Sequence, residues 1–130
     1  MSNQFNTLKF SVNHLADNGF ESGGLRSFFE YRDLGITEAT NNCVGAHVIR
    51  GKPGCHVSGE QHTHKLQFQM VYIMKGWIKF WYEGVGEVKL IEGSCVHQPP
   101  GITHQDLEHS NDVEILEITL PAHFDTQLAK

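Results

Sequence analysis

No apolar stretch in this chain approaches the length of a membrane-spanning helix. The first ten residues, MSNQFNTLKF, lack the charged-then-apolar layout of a signal peptide. No membrane association is expected, and a cytoplasmic location is. Basic residues are few and scattered: 10 Lys and Arg against 15 Asp and Glu give a net charge of −5 with His neutral. Nucleic-acid binding draws most of its affinity from neutralised phosphates, so no nucleic-acid partner is expected. Cysteine is scarce and odd in number. Cys43, Cys55 and Cys95 show no CxxC spacing, which argues against a disulfide framework and fits reduced thiols. Long helical patterns, repeats and low-complexity tracts are also missing. Parallel βαβ folds are thereby excluded, and 130 residues read as one domain.

What is abundant is glycine, 13 residues, and it punctuates short β-branched and aromatic runs. Residues 1–25 read as an irregular N-terminal segment, with one helical turn over 13–19 closed by Gly19 and a break at Gly23-Gly24. Strands are predicted over 27–32, 43–50, 68–74, 77–82, 87–91, 95–97 and 113–120, most of them ended by Gly or Pro clusters. Short strands about ten residues apart describe a sandwich or a barrel. The barrel is expected over 26–122, with 123–130 as a C-terminal tail.

Strand alternation separates two faces. Gln69, Val71 and Ile73 share one side of their strand, and Phe68, Met70, Tyr72 and Met74 share the other. In the next strand Ile78, Phe80 and Tyr82 oppose Trp77, Lys79 and Trp81. Both faces are apolar, so the outer one needs cover. A two-fold homodimer is the expectation, with Trp77 and Trp81 beside the Phe68–Met74 outer face; the rival is residues 1–25 folded back over it.

The compositional outlier is histidine, nine residues, the side chain most used as a neutral metal ligand and proton carrier. His62 and His64 are two apart, so in a strand both imidazoles point the same way and reach one ion. The spans His62–Gly76 (HTHKLQFQMVYIMKG) and Gly93–His104 (GSCVHQPPGITH) resemble the two motifs of the cupin superfamily, in the right order. The resemblance covers about residues 45–120. It implies an all-β double-stranded β-helix, a jelly-roll barrel. It also implies one divalent metal ion on His62, His64 and His104, with Gln69 at the fourth ligand position. The alternative is a barrel that has lost its metal and keeps the histidines in ordinary hydrogen bonds.

Three departures stand out. Gln69 replaces the family's usual Glu, His56 stands where a Gly is usual, and Glu108 where an Asn is usual. Gln69 matters chemically, because a neutral amide leaves a dication at +2 and favours anionic ligands. Three neutral nitrogens suit Fe, Mn, Ni, Zn or Cu.

The expected function is that of a metal-binding cupin acting on one small, anionic organic molecule, with dioxygenase-like or lyase/isomerase-like chemistry. The alternative is a metal- or small-molecule-binding sensor without turnover. His47, Arg50, Phe80 and Tyr82 are candidate pocket residues, Arg50 as an anchor for a carboxylate. His56 and Cys55 are assigned to a turn or the surface, and His14, His97, His109 and His123 to solvent. No catalytic residue is assigned: Gln69 cannot act as a general base.

Overall fold

The computed structural model describes residues 8–22, 28–52 and 59–129. Its elements run β1 (Phe29–Asp33), α1 (Ile36–Ala39), β2 (Gly45–Gly51), β3 (His62–Lys65), β4 (Phe68–Lys75), β5 (Trp77–Tyr82), β6 (Gly86–Ile91), β7 (Cys95–His97), β8 (His104–His109), β9 (Glu114–Leu120) and β10 (Asp125–Leu128). The strands form two five-stranded antiparallel sheets, β1-β2-β9-β4-β7 and β10-β3-β8-β5-β6. This is the expected all-β jelly roll. No helix among the described residues is long and apolar enough to cross a membrane. Cys55 and His56 lie outside the described residues.

The two sheets bury their facing sides against each other. Ile73, Ile78 and Val113 are essentially inaccessible, and Phe29, Ile49, Val71, Phe80, Leu90 and Ile115 pack around them. The predicted parity holds: Gln69, Val71 and Ile73 face inward on β4, as do Ile78, Phe80 and Tyr82 on β5. Gly76 joins these two strands and carries the chain from one sheet to the other. Its φ is +73°, and a Cβ there would run into the Ser110 hydroxyl, the Asp112 carboxylate and the Val113 backbone. Only glycine satisfies both demands.

That crossover corrects the predicted surface. β4 and β5 lie in different sheets, so Tyr72 and Met74 emerge on one side of the sandwich and Trp77 and Trp81 on the other. The apolar residues form two separate patches, and the indole of Trp77 is capped by the Lys89 ammonium, 4.6 Å from its ring centre. The rival cover, residues 1–25 over the same sheet, meets that sheet on its β1–β2 side among the described residues, where the Arg50 guanidinium lies over the Phe20 ring. The expected turn is present, with Asp17 and Asn18 amides donating to the His14 carbonyl. The described part of the segment binds β1 and α1: Glu21 bridges Tyr31, Lys9 donates to the Ala39 carbonyl, and Arg32 donates to Asn13 and Asn18.

The segment expected as a C-terminal tail, 123–130, contains a strand. Asp125–Leu128 forms β10, hydrogen-bonded along β3 from Lys65 to His62. Thr126 and Gln127 gave too weak a strand signal for this to be read, and pairing supplies what propensity does not. His109 is likewise not solvated: it is buried, with its ring 5.1 Å from Phe29 and 6.0 Å from Phe28.

Gly76→Ala is expected to cost about 1–3 kcal/mol from the left-handed backbone alone, plus the clash. Thermal unfolding should show a midpoint several degrees lower. An unchanged midpoint would mean the crossover has another conformation.

Candidate metal centre and its cavity

The inner faces of the sheets enclose a cavity of about 420 Å³. One wall carries the histidines. His62 and His64 alternate inward on β3, and His104 sits directly opposite His62 in the β3–β8 ladder. One ring nitrogen from each of the three lies within 4.8 Å of the others, and all three residues are buried.

Their hydrogen bonds decide which nitrogen carries the lone pair. His62 Nδ1 is 2.7 Å from the Glu60 carbonyl, and His104 Nδ1 is 3.1 Å from the Ile102 carbonyl. A carbonyl only accepts, so both rings hold their proton on Nδ1 and their lone pair on Nε2. His64 Nδ1 is 2.8 Å from the Thr126 hydroxyl of β10, which permits the same tautomer. Three Nε2 lone pairs on one buried patch, each ring oriented from behind, fit a divalent cation. Tyr82 stacks on His104 at 5.9 Å, and Phe124 meets His64 edge-on at 5.1 Å.

The opposite wall is polar in one strip. Gln69 reaches the cavity from β4, in the other sheet from the histidines. Its Nε2 donates to Glu117 Oε2 at 2.9 Å. Glu117 stands inward on β9, opposite His47 on β2 and Val71 on β4, with Asp33 beyond His47. Burial pushes the Glu117 carboxyl up; the Gln69 amide offsets part of this and the negative Asp106 adds to it. Burial also lowers His47, against the pull of Asp33. The Tyr82 phenol is raised, again chiefly by burial. Neither inner-wall glutamate chemistry nor Asp106 was foreseen. Both were readable: Glu114 and Glu117 are three apart, so a regular strand must turn one of them inward. Asp106 is two residues from His104 and shares its face.

The two-sheet antiparallel architecture is shared with solved proteins. The polyketide cyclase RemF from Streptomyces resistomycificus superposes with a TM-score of 0.74 at 14% identity, over 94% of this chain and 87% of that one. A sugar phosphate isomerase from a cupin superfamily, from Silicibacter pomeroyi, gives 0.71 at 19%, over 92% and 82%. An RmlC-like cupin from Shewanella frigidimarina gives 0.69 at 17%, over 90% and 96%. The chain has the cupin fold. No protein-family model and no curated protein matches its sequence.

Against the cupin frame, the candidate pocket residues divide. His47 and Phe80 line the cavity. Tyr82 is buried behind it, against His104 and Gln98. Arg50 is corrected: it alternates outward on β2, pairs with Glu30 at 2.9 Å and lies over the Phe20 ring. Its parity could not be known before the β2 register. Phe29, Tyr31, Gln98, Thr119 and Phe124 also line the cavity, as does His123 from its exposed position.

The raised Glu117 carboxyl has a consequence for stability. The folded state binds its proton more tightly than the unfolded chain, so metal-free protein loses stability as pH rises from the ordinary glutamate range through the raised value. Glu117→Gln keeps an oxygen that accepts from Gln69 and removes the titration. Metal-free Glu117→Gln should match the parent in acid and exceed it increasingly toward neutral pH in urea unfolding. A constant difference across pH would contradict the buried position.

Proposed function

We propose that the protein is a metal-dependent cupin enzyme that moves a proton on one small organic molecule, with lyase- or isomerase-like outcome. The observation that carries this reading is the presence of three clustered imidazoles and one hydrogen-bonded carboxyl in the lining of the same cavity. His62, His64 and His104 hold the ion, and the Gln69 carbonyl oxygen completes the set as a weak ligand, its amide nitrogen being engaged by Glu117. The ion supplies Lewis-acid polarisation of a ligand oxygen. Glu117 is held through Oε2, which leaves Oε1 to take or return a proton at a carbon beside that oxygen-bearing centre. Burial raises this carboxyl, so it holds a proton more readily than an ordinary glutamate does. Ile49, Val71, Ile78 and Phe80 keep the remainder of the cavity apolar and confine the ligand.

The presence of a proton carrier favours this chemistry over the dioxygenase-like alternative. No Lys or Arg is among the described lining residues. A ligand anion would therefore be matched by the ion alone, so negative charge belongs only at the metal-bound end.

Each of His62→Ala, His64→Ala and His104→Ala should weaken zinc binding by more than roughly the 100-fold typical of losing an outer partner, with the barrel still folded. Calorimetry with zinc checks this; one ion per chain retained by a double variant overturns the assignment. Gln69→Glu should tighten zinc, because an anionic oxygen replaces a neutral one beside a dication. Without metal it should destabilise, since two carboxyls would then share one hydrogen bond. For turnover, the zinc-loaded protein should exchange α-protons of small hydroxycarbonyl compounds with deuterated solvent, followed by NMR. Glu117→Gln should abolish exchange and keep the zinc. Iron-dependent oxygen uptake without any exchange would replace this reading with the oxygenase one.

A further inference from the structure

Two polar side chains in the cavity wall are fully buried and serve no role in the metal centre. Gln98 is 2% exposed and Thr119 is 1% exposed. Gln98 Nε2 donates to the Tyr82 hydroxyl at 2.7 Å, while its Oε1 has no hydrogen-bond partner. Thr119 Oγ1 has none either. A buried polar atom without a partner is costly, and folded proteins keep few of them without a functional reason.

Both residues flank Gln69. Thr119 is its cross-strand neighbour on β9, and the backbone N–H of Gln98 donates to the backbone carbonyl of Gln69 at 3.0 Å. Neighbouring strands are spaced at about 4.8 Å, so Thr119, Gln69 and Gln98 form one row across the wall. The row adjoins the histidines through Tyr82, which Gln98 contacts and which stacks on His104. Gly45 leaves room beside the Thr119 hydroxyl, since a Cβ at that position would stand 2.7 Å from it.

We propose that Gln98 and Thr119 form a subsite for an uncharged hydroxyl group of the ligand, whose other end binds at the histidine cluster. An amide oxygen accepts from an alcohol, and a threonine hydroxyl both accepts and donates. The absence of Lys and Arg from the described lining means that a carboxylate or phosphate placed here would lack a counter-charge. The substrate class is therefore a hydroxylated carbonyl compound whose distal end is neutral. This inference rests on the proposed metal site.

The test is calorimetric titration of the zinc-loaded full chain with four probes that share a metal-binding hydroxamate head. Acetohydroxamate ends in a methyl group, and glycolohydroxamate and 3-hydroxypropanohydroxamate carry a hydroxyl at two distances. Malonohydroxamate ends in a carboxylate. At least one hydroxyl probe should bind about tenfold more tightly than acetohydroxamate, the worth of one well-made hydrogen bond to a buried acceptor. Malonohydroxamate should bind more weakly than both hydroxyl probes. Thr119→Val and Gln98→Met, each close to isosteric, should bring the hydroxyl-to-methyl ratio toward one. Only the ratio is read, so a general loss of stability in one variant leaves the other decisive. Equal affinities for the hydroxyl and methyl probes, a ratio unchanged in both variants, or tightest binding of malonohydroxamate overturns the subsite while the metal site stands. Failure of all four probes to bind the zinc-loaded chain also overturns the subsite, whereas failure of the chain to load zinc overturns the metal reading and the subsite with it.

Discussion

Three imidazoles within 4.8 Å of one another in a buried wall cannot all carry charge, and each must hold its proton away from the other two. The remainder of the site depends on how that is arranged. The backbone carbonyls of Glu60 and Ile102 take the Nδ1 protons of His62 and His104, and the Thr126 hydroxyl faces Nδ1 of His64. The Nε2 lone pairs are then left on the far edge of each ring. Two of these partners lie two residues upstream of their own histidine and come with the local backbone. The third comes from the last strand of the chain, so the site is complete only when β10 has paired with β3.

The same low-polarity interior sets the properties of the opposite wall. A carboxyl enclosed as Glu117 is must be hydrogen-bonded, neutral or matched by a cation. Gln69 supplies the hydrogen bond, and a metal ion across the cavity would supply the charge. Replacement of the family's usual glutamate by Gln69 therefore does not empty the cavity of acid chemistry. The carboxyl stands one strand over on β9, and the amide beside it holds it in place. Under the proposed function, this displacement would give the cavity a proton carrier distinct from the metal ligands.

Apolar packing and polar function share the same faces of the same strands. On β9, Ile115 belongs to the core, Glu117 to the site and Thr119 to the cavity wall beyond it. On β4 the order runs Ile73, Val71, Gln69. The sandwich is apolar around Ile73 and Val113, and its polar groups gather toward the histidines. The apolar end holds the sheets together and the other end is left open for a ligand.

Local pattern alone determined a good deal here. Alternation placed Gln69, Val71, Ile73, Ile78, Phe80 and Tyr82 inward, because a strand's side chains have a period of two whatever it pairs with. The i, i+2 spacing put His62 and His64 on one face for the same reason, and the motif spacing brought in His104. Quantities that depend on pairing between distant strands were decided only by the tertiary structure. The inward turn of His47 and the outward turn of Arg50 follow from the β2 register with β1 and β9. The choice of Glu117 rather than Glu114 for the cavity follows from β9 lying between β2 and β4. The separation of Tyr72 from Trp81 follows from the crossover at Gly76, and β10 exists because β3 offers it an edge. Register and sheet membership are set by contacts far apart in sequence, and one chain's local periodicity carries no information about either.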